Sequence, residues 1–260
     1  MIDIYNIKID RFGYLFRAFK LIGRSKLFFC FSFAILLASV LVYRVPSTHR
    51  LTIDVSWPNC GRLNSIGNYS AAIVGTNGGL DFRANPCLGL EGRLTNNLAT
   101  YANTGNPGFP RIYQLGKGPL NCSNNNRLLC YSFNYGYQAA LYSLKQANLA
   151  DVHSTFWWLD VESINSWTTS VAANRADIMG MVYALKTIRF LRPKIGIYTT
   201  DNQWIATVGH WKINLPLWLG TGQTNAQSAA KYCNQQSIIG SNILMTQYTI
   251  GKLDYDYRCF

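Results

Sequence analysis

The chain has 260 residues and a formal net charge of +12, with 48% hydrophobic and 14% charged residues. The charge is unevenly placed: residues 1–50 hold eight Lys or Arg against two Asp, which leaves sixteen against ten in the remainder. That remainder is only mildly basic and has no Lys/Arg run of the kind that tracks a phosphate backbone, so it excludes nucleic acid as a partner and favours anionic wall polymers over neutral glycans.

Leu27 to Tyr43 is seventeen residues without a charge, the lower limit for a helix that crosses ~30 Å of hydrocarbon. Lys8, Arg11, Arg17, Lys20, Arg24 and Lys26 precede it, and Arg44 and Arg50 follow. The positive-inside bias therefore puts the N-terminus in the cytoplasm and the large C-terminal part outside. The expected organisation is a basic cytoplasmic segment at 1–26, a single-pass transmembrane signal anchor at 27–43, a linker at 44–50 and an extracellular domain at 51–260. The alternative is secretion after signal cleavage, although no clear A-x-A site follows the apolar run. Residues 4–24 interleave apolar and basic side chains and could lie on the anionic inner leaflet. Cys30 follows bulky Phe28 and Phe29 and reads as a buried thiol rather than a lipidation site.

From residue 51 the chain reads as eight short strands, at 51–56, 71–76, 98–103, 154–161, 194–199, 215–219, 243–248 and 253–257. Helical patterns run from Tyr135 to Ala150 and from Asn174 to Leu191, the second stopped by Pro193. Asn103 to Asn134 is a long Gly-, Pro- and Asn-rich insertion, pinned by Cys122 and Cys130. Late helices are short or absent. About 210 residues arranged this way fit one α/β barrel. The expected fold is an irregular (β/α) TIM-like barrel with reduced late helices.

The strand Phe156-Trp157-Trp158-Leu159-Asp160-Val161-Glu162 ends in two carboxylates at i and i+2, which share one face about 7 Å apart and so perturb each other's protonation. Leu51-Thr52-Ile53-Asp54-Val55-Ser56-Trp57 repeats the pattern with Asp54, and Leu253-Asp254-Tyr255-Asp256-Tyr257 repeats it with two acids. Five of the ten acidic residues after position 50 thus fall on predicted strand ends, where a solvated surface would spread them over helix faces and loops. Trp57, Trp158, Tyr198, Trp218, Tyr248 and Tyr255 lie near the same ends and could stack on sugar rings, although any one of them could equally be a core aromatic. Gly75-Thr76-Asn77-Gly78-Gly79 lacks the spacing and the lysine of a phosphate loop and reads as a turn with Asn77 facing the mouth. His49, His153 and His210 are scattered, so neither zinc hydrolysis nor a Ser-His-Asp triad has its central residue. No metal or other cofactor is expected.

Cys60, Cys87, Cys122, Cys130, Cys233 and Cys259 form an even set in an exported domain, for which fifteen pairings are formally possible. Proximity along the predicted fold favours Cys60 with Cys87, Cys122 with Cys130, and Cys233 with Cys259.

Asp54-Val55-Ser56, Asp160-Val161-Glu162, Gln247-Tyr248 and Asp254-x-Asp256 together resemble the family 25 glycoside hydrolases, muramidases that cleave peptidoglycan. A group of exported bacterial glycoside-hydrolase-like proteins is more similar still, through Asp54-Val-Ser-Trp-Pro-Asn-Cys60, Asn85-Pro-Cys87, Asn134-Tyr-Gly136, Trp157-Trp-Leu-Asp-Val-Glu162, Asn174-Arg175 and Gly196-Ile-Tyr198. The resemblance covers roughly residues 51–260 and implies an irregular barrel of five β/α units followed by further strands. It implies Glu162 as general acid, Asp160 as the carboxylate that stabilises the oxocarbenium-like state or assists the substrate's acetamido group, and Asp54 and Asp254 as sugar-holding groups that set the pKa values of the pair. Asn77, Trp57, Trp158, Tyr198, Trp218, Gln247, Tyr248 and Asp256 are the candidate substrate contacts. The chain departs from the muramidases at Trp57-Pro58-Asn59, where they continue toward a glutamine, and at Asp256, where they often carry Asn. The expectation is a monomeric, membrane-tethered glycoside hydrolase acting on peptidoglycan or another cell-envelope glycan. The alternative is a barrel that only binds glycan or scaffolds the envelope.

Overall fold

The computed structural model describes residues 51–66, 69–123, 126–187 and 193–260. The basic segment, the expected anchor at 27–43, the linker at 44–50, Cys30 and His49 lie outside the described residues. Among the described residues no helix is long and apolar enough to cross a membrane.

Eight strands close into one barrel in sequence order. They are β1 (Leu51–Val55), β2 (Ala72–Gly75), β3 (Leu98–Asn103), β4 (Phe156–Asp160), β5 (Lys194–Thr199), β6 (Leu217–Gln223), β7 (Ile243–Ile250) and β8 (Leu253–Arg258). The expected spans and the observed ones agree to within a few residues at each end. Strands β1 to β7 run parallel, and β8 runs antiparallel to both neighbours. A tight turn at Gly251, whose φ of 65° suits glycine, reverses the chain between β7 and β8. There is no room for a crossover helix there, which is why the last strand must return in the opposite direction.

The helices are α1 (Leu88–Glu91), α2 (Arg111–Leu115), α3 (Arg127–Leu149), α4 (Val171–Thr187), α5 (Asp201–Val208) and α6 (Ala226–Ala230). Helix α3 begins eight residues before the expected Tyr135, so the last eight residues of the supposed insertion are helical. The Cys122–Cys130 bond ties the preceding loop to its first turns. Helices α3 and α4 approach closely because each offers a glycine: a Cβ on Gly136 would lie 2.0 Å from the Asp177 carbonyl oxygen, and one on Gly180 would lie 1.9 Å from that of Phe133. The other expected pairs are bonded as well, Cys60–Cys87 and Cys233–Cys259.

Strand parity sorts the apolar residues into two shells. Ile53, Val55, Val74, Trp157, Leu159, Ile197 and Leu217 point outward against the helices, with Ile178 and Met181 of α4. Ile73, Trp158, Trp218 and Met245 point inward and fill the barrel's lumen. Trp158 fits because Gly196 on the neighbouring strand has no side chain: a Cβ there would stand 2.2 Å from the indole. The lumen is thus closed by large aromatics below its upper rim.

Candidate active site

The upper rim, at the C-terminal ends of the parallel strands, gathers the acids. Asp160 is the last residue of β4, and Glu162 follows two residues later on the same side. Asp54 lies on β1 directly opposite Asp254 of β8. The reversal of β8 is what brings Asp254 to the rim, since the start of an antiparallel strand meets the ends of its parallel neighbours.

Each carboxylate is held by a specific donor. Asp160 Oδ2 accepts the Asn103 amide at 2.5 Å, and Asn103 is itself clamped by Asn77, whose Oδ1 accepts the Asn103 N–H and whose Nδ2 donates to the Asn103 carbonyl. Asp54 Oδ2 accepts from Gln247 Nε2 at 2.9 Å, and Gln247 Oε1 accepts the Tyr198 hydroxyl at 2.7 Å. With Asp54 ionised the Gln247 amide serves both in this orientation, because reversing it would set an acceptor against a carboxylate. Glu162 Oε1 accepts from Gln203 Nε2 at 3.4 Å, and Asp254 Oδ1 accepts the Thr249 hydroxyl at 2.7 Å.

Burial dominates the electrostatics. It raises Asp54 well above the ordinary carboxylate range, with repulsion from Asp254 adding and the Gln247 bond opposing. It raises Asp160 in the same way, with Glu162 and Asp54 adding. Glu162 is raised by burial too, opposed by Gln203 and reinforced by Asp254. Asp160 is the deeper of the two, at 4% exposed, and the pair titrates as a unit. Asp160 Oδ1 and Asp54 Oδ1 are buried without a hydrogen-bond partner among the described residues. Such a group of acids cannot ionise together; protons are shared among them. Tyr198 stands at the centre, its phenol raised by burial and then by Asp160, Glu162, Asp54 and Asp254.

Five expected sugar contacts take other places. Trp158 and Trp218 are 2% and 1% exposed and pack edge to face in the lumen; residues two positions short of the strand end belong to the layer below. Asp256 is fully buried and accepts the Trp218 indole N–H at 2.7 Å. Because β8 is reversed, Asp256 lies one layer beneath Asp254 rather than nearer the mouth. Tyr248 has the opposite parity to Gln247 and stacks on Tyr255 outside the lumen. Asn77 is fully buried, with its amide committed to Asn103. Trp57 is 41% exposed at the rim, and Tyr198 and Gln247 lie among the carboxylates. Asn103, Gln203 and Thr249 escaped the sequence reading because neutral amides and hydroxyls at strand ends and in helices have no distinguishing pattern.

Below the rim, Glu91 of α1 is fully buried and accepts from Asn85 Nδ2 at 2.7 Å. Its other oxygen lies 3.0 Å from the Cys87 sulfur. Cys60, Cys87 and Glu91 have the proximity of a metal site, but both sulfurs are spent in the disulfide. A disulfide sulfur has no hydrogen to give, so the contact suits a protonated Glu91, whose pKa burial raises to about 7.

Residues 130–235 match the family described as Lysozyme-like protein 1. A Dictyostelium discoideum protein described as "Probable GH family 25 lysozyme 5" is 36% identical over 66 residues, a segment that covers 24% of this chain and 30% of that protein. The chain therefore matches less than a third of the length of this curated relative. Two solved structures are similar over 80% of the chain: the modular autolysin LytC from Streptococcus pneumoniae, at 14% identity, TM-score 0.49 and 46% of its own length, and a family 25 glycosyl hydrolase from Bacillus anthracis, at 11% identity, TM-score 0.45 and 88% of its length. The chain is thus similar to a lysozyme-like family over residues 130–235 and to a family 25 lysozyme over a 66-residue segment.

Proposed function

We propose that this barrel is a glycoside hydrolase acting on peptidoglycan or a related cell-envelope glycan, with Glu162 as general acid and Asp160 as the charge-stabilising carboxylate. The observation that carries the reading is the gathering of Asp54, Asp160, Glu162 and Asp254 at one rim, two of them with a buried oxygen that no donor satisfies. A pure binding surface would have no use for acids that raise one another's pKa.

The chemistry follows from depth and exposure. Glu162 is the less buried of the pair and lies next to solvent, so its proton can reach a glycosidic oxygen laid across the rim. Asp160 is held rigidly by Asn103 yet left one bond short. An ionised carboxylate in that condition is poorly stabilised until a positive charge forms beside it, which is what an oxocarbenium-like sugar or an assisting acetamido group supplies. In the reacting complex the shared proton must therefore rest on Glu162. Tyr198 and Gln247 fix Asp54 so that it can hold a sugar hydroxyl, and Trp57 offers an exposed ring face beside it.

The three disulfides support an oxidising, extracellular setting for the domain, and the segment at 27–43 would tether it there with the N-terminus inside. A tag at residue 1 should be protected from external protease while the barrel is cleaved.

The test is a reducing-end assay on purified peptidoglycan. Wild type should release reducing ends, and Glu162→Gln should lose about 10² to 10⁴ in rate while still cosedimenting with the glycan, since the amide keeps the shape and lacks the transferable proton. Wild-type binding without any release of reducing ends would leave a glycan-binding barrel.

A further inference from the structure

A cavity of about 210 Å³ opens beside the carboxylates, between the loops that follow β2, β3 and β4. It is continuous with the site through the backbone. Thr104 donates through both N–H and hydroxyl to the Asp160 carbonyl, and Asn165 N–H donates to the Glu162 carbonyl. Arg83 and Arg111 flank the opening and are exposed. Arg83 is steadied over the Trp57 ring at 5.6 Å from its centre. Among the described residues neither guanidinium is in ion-pair contact with a carboxylate.

The one acid in the wall does not cancel them. Asp81 is 8% exposed, takes the Tyr135 hydroxyl on Oδ2 at 3.0 Å, and has its other oxygen sealed from solvent. Burial raises its pKa to about 7 against the opposing pull of Tyr135 and Arg111, so near neutral pH its charge is roughly halved. Asp177 behind it on α4 is fully buried with neither oxygen partnered, and burial, with repulsion from Asp81 adding, holds it well above the ordinary range. The exposed cations of the cavity are the Arg83 and Arg111 guanidinium groups, the latter hydrogen-bonded to Tyr135, and a guanidinium matches carboxylate and phosphate oxygens. The cavity's size admits such a group rather than a lone water.

We infer that the Arg83–Arg111 cavity is a subsite for an anionic substituent, a carboxylate or phosphate carried by the glycan next to the sugar held at the carboxylates. The inference rests on the glycan-hydrolase reading and narrows its substrate to acidic glycans. It also gives a location to the mild excess of positive charge in this domain. The anion's source is decided by stripping its charge: carboxylates are converted to neutral amides by carbodiimide coupling to methylamine, and phosphate polymers are removed by hydrofluoric acid.

The experiment compares four peptidoglycan preparations from one source, intact, carboxylate-stripped, phosphate-stripped and doubly stripped, using the full chain and its Arg83→Gln/Arg111→Gln variant. Both arginines are exposed, so a thermal melt of the variant should match wild type. Wild type should show kcat/KM about tenfold or more higher on the intact glycan than on the doubly stripped one, the scale of one charge-assisted contact. The loss should appear in one of the singly stripped samples, which names the source. In the variant the discrimination should fall to about onefold. Equal wild-type rates on all four preparations, or undiminished discrimination in the variant, would overturn the subsite. If no preparation is cleaved, cosedimentation of the same samples separates the two ideas: a preference for the intact glycan lost in the variant supports the subsite while the hydrolase reading fails, and equal binding of all four removes both.

Discussion

Two layers of the same barrel, two residues apart along each strand, have opposite characters. In the lower layer Trp158, Trp218, Ile73 and Met245 fill the lumen as a packed core. In the upper layer Asp160, Asp54 and Asp254 stand on those strands or their neighbours, the first two each with a buried oxygen that no donor meets. A strand advances about 6.6 Å in two residues, and that step is enough to pass from close-packed interior to the rim. The lower layer provides rigidity and the upper layer provides chemistry; Asp256, bonded to the Trp218 indole, joins the two.

Exchanging the roles across that step is the sharpest way to probe the difference. Asp160→Asn should lower turnover by about 10² or more, because the amide can keep the Asn103 contact only by turning its oxygen toward it and cannot balance a positive charge. Its unfolding midpoint should stay close to that of wild type, since the neutral amide fills the same space and its amino group replaces the unpartnered oxygen. A destabilised but active Asp160→Asn would place Asp160 in the structural layer. Trp158→Ala should do the reverse, losing about 3 to 5 kcal/mol of stability through the cavity left in the lumen. Urea unfolding read by fluorescence would measure it, and a loss below 1 kcal/mol would mean that the lumen is not a packed core.

The pH dependence of stability sharpens the contrast from beneath the rim. Glu91 rises from 4.5 to about 7 in the fold. Its contribution is therefore fully present below the unfolded value and is lost as pH rises through about 7, on the order of 3 kcal/mol for a fully buried group. The domain should unfold at lower urea at pH 8 than at pH 5. Glu91→Gln should reduce that slope, leaving the part due to Asp81, which also titrates near 7, and to Asp54, Asp160, Asp177 and Asp256, which burial also raises. An unchanged slope would show that Glu91 is ionised in the fold. Gly196→Ala should give the smallest effect, about 1 to 3 kcal/mol, as Trp158 shifts to admit the added methyl. Differential scanning calorimetry would detect it, and a neutral outcome would argue for slack around the indole.

The sequence determined what is local. Alternation placed Asp160 and Glu162 on one face, the apolar runs marked the strands, and the even cysteines with short separations paired as neighbours in the fold. It also determined the chemistry on offer, since acids at strand ends and the absence of a central histidine left carboxylates as the reactive groups. What only the tertiary structure decided is depth and direction. Parity says which face a side chain takes but not how far along the barrel that face is filled, so Trp158, Trp218 and Asp256 read as rim residues until the lumen was seen to close beneath them. The reversal of β8 depends on pairing with β1, some 200 residues away in sequence, and that pairing set Asp254 opposite Asp54 while sending Asp256 inward. Asn77 and Asn103 show the same limit: an amide's partner is chosen by which strand lies alongside, and strand neighbours are settled only when the barrel closes.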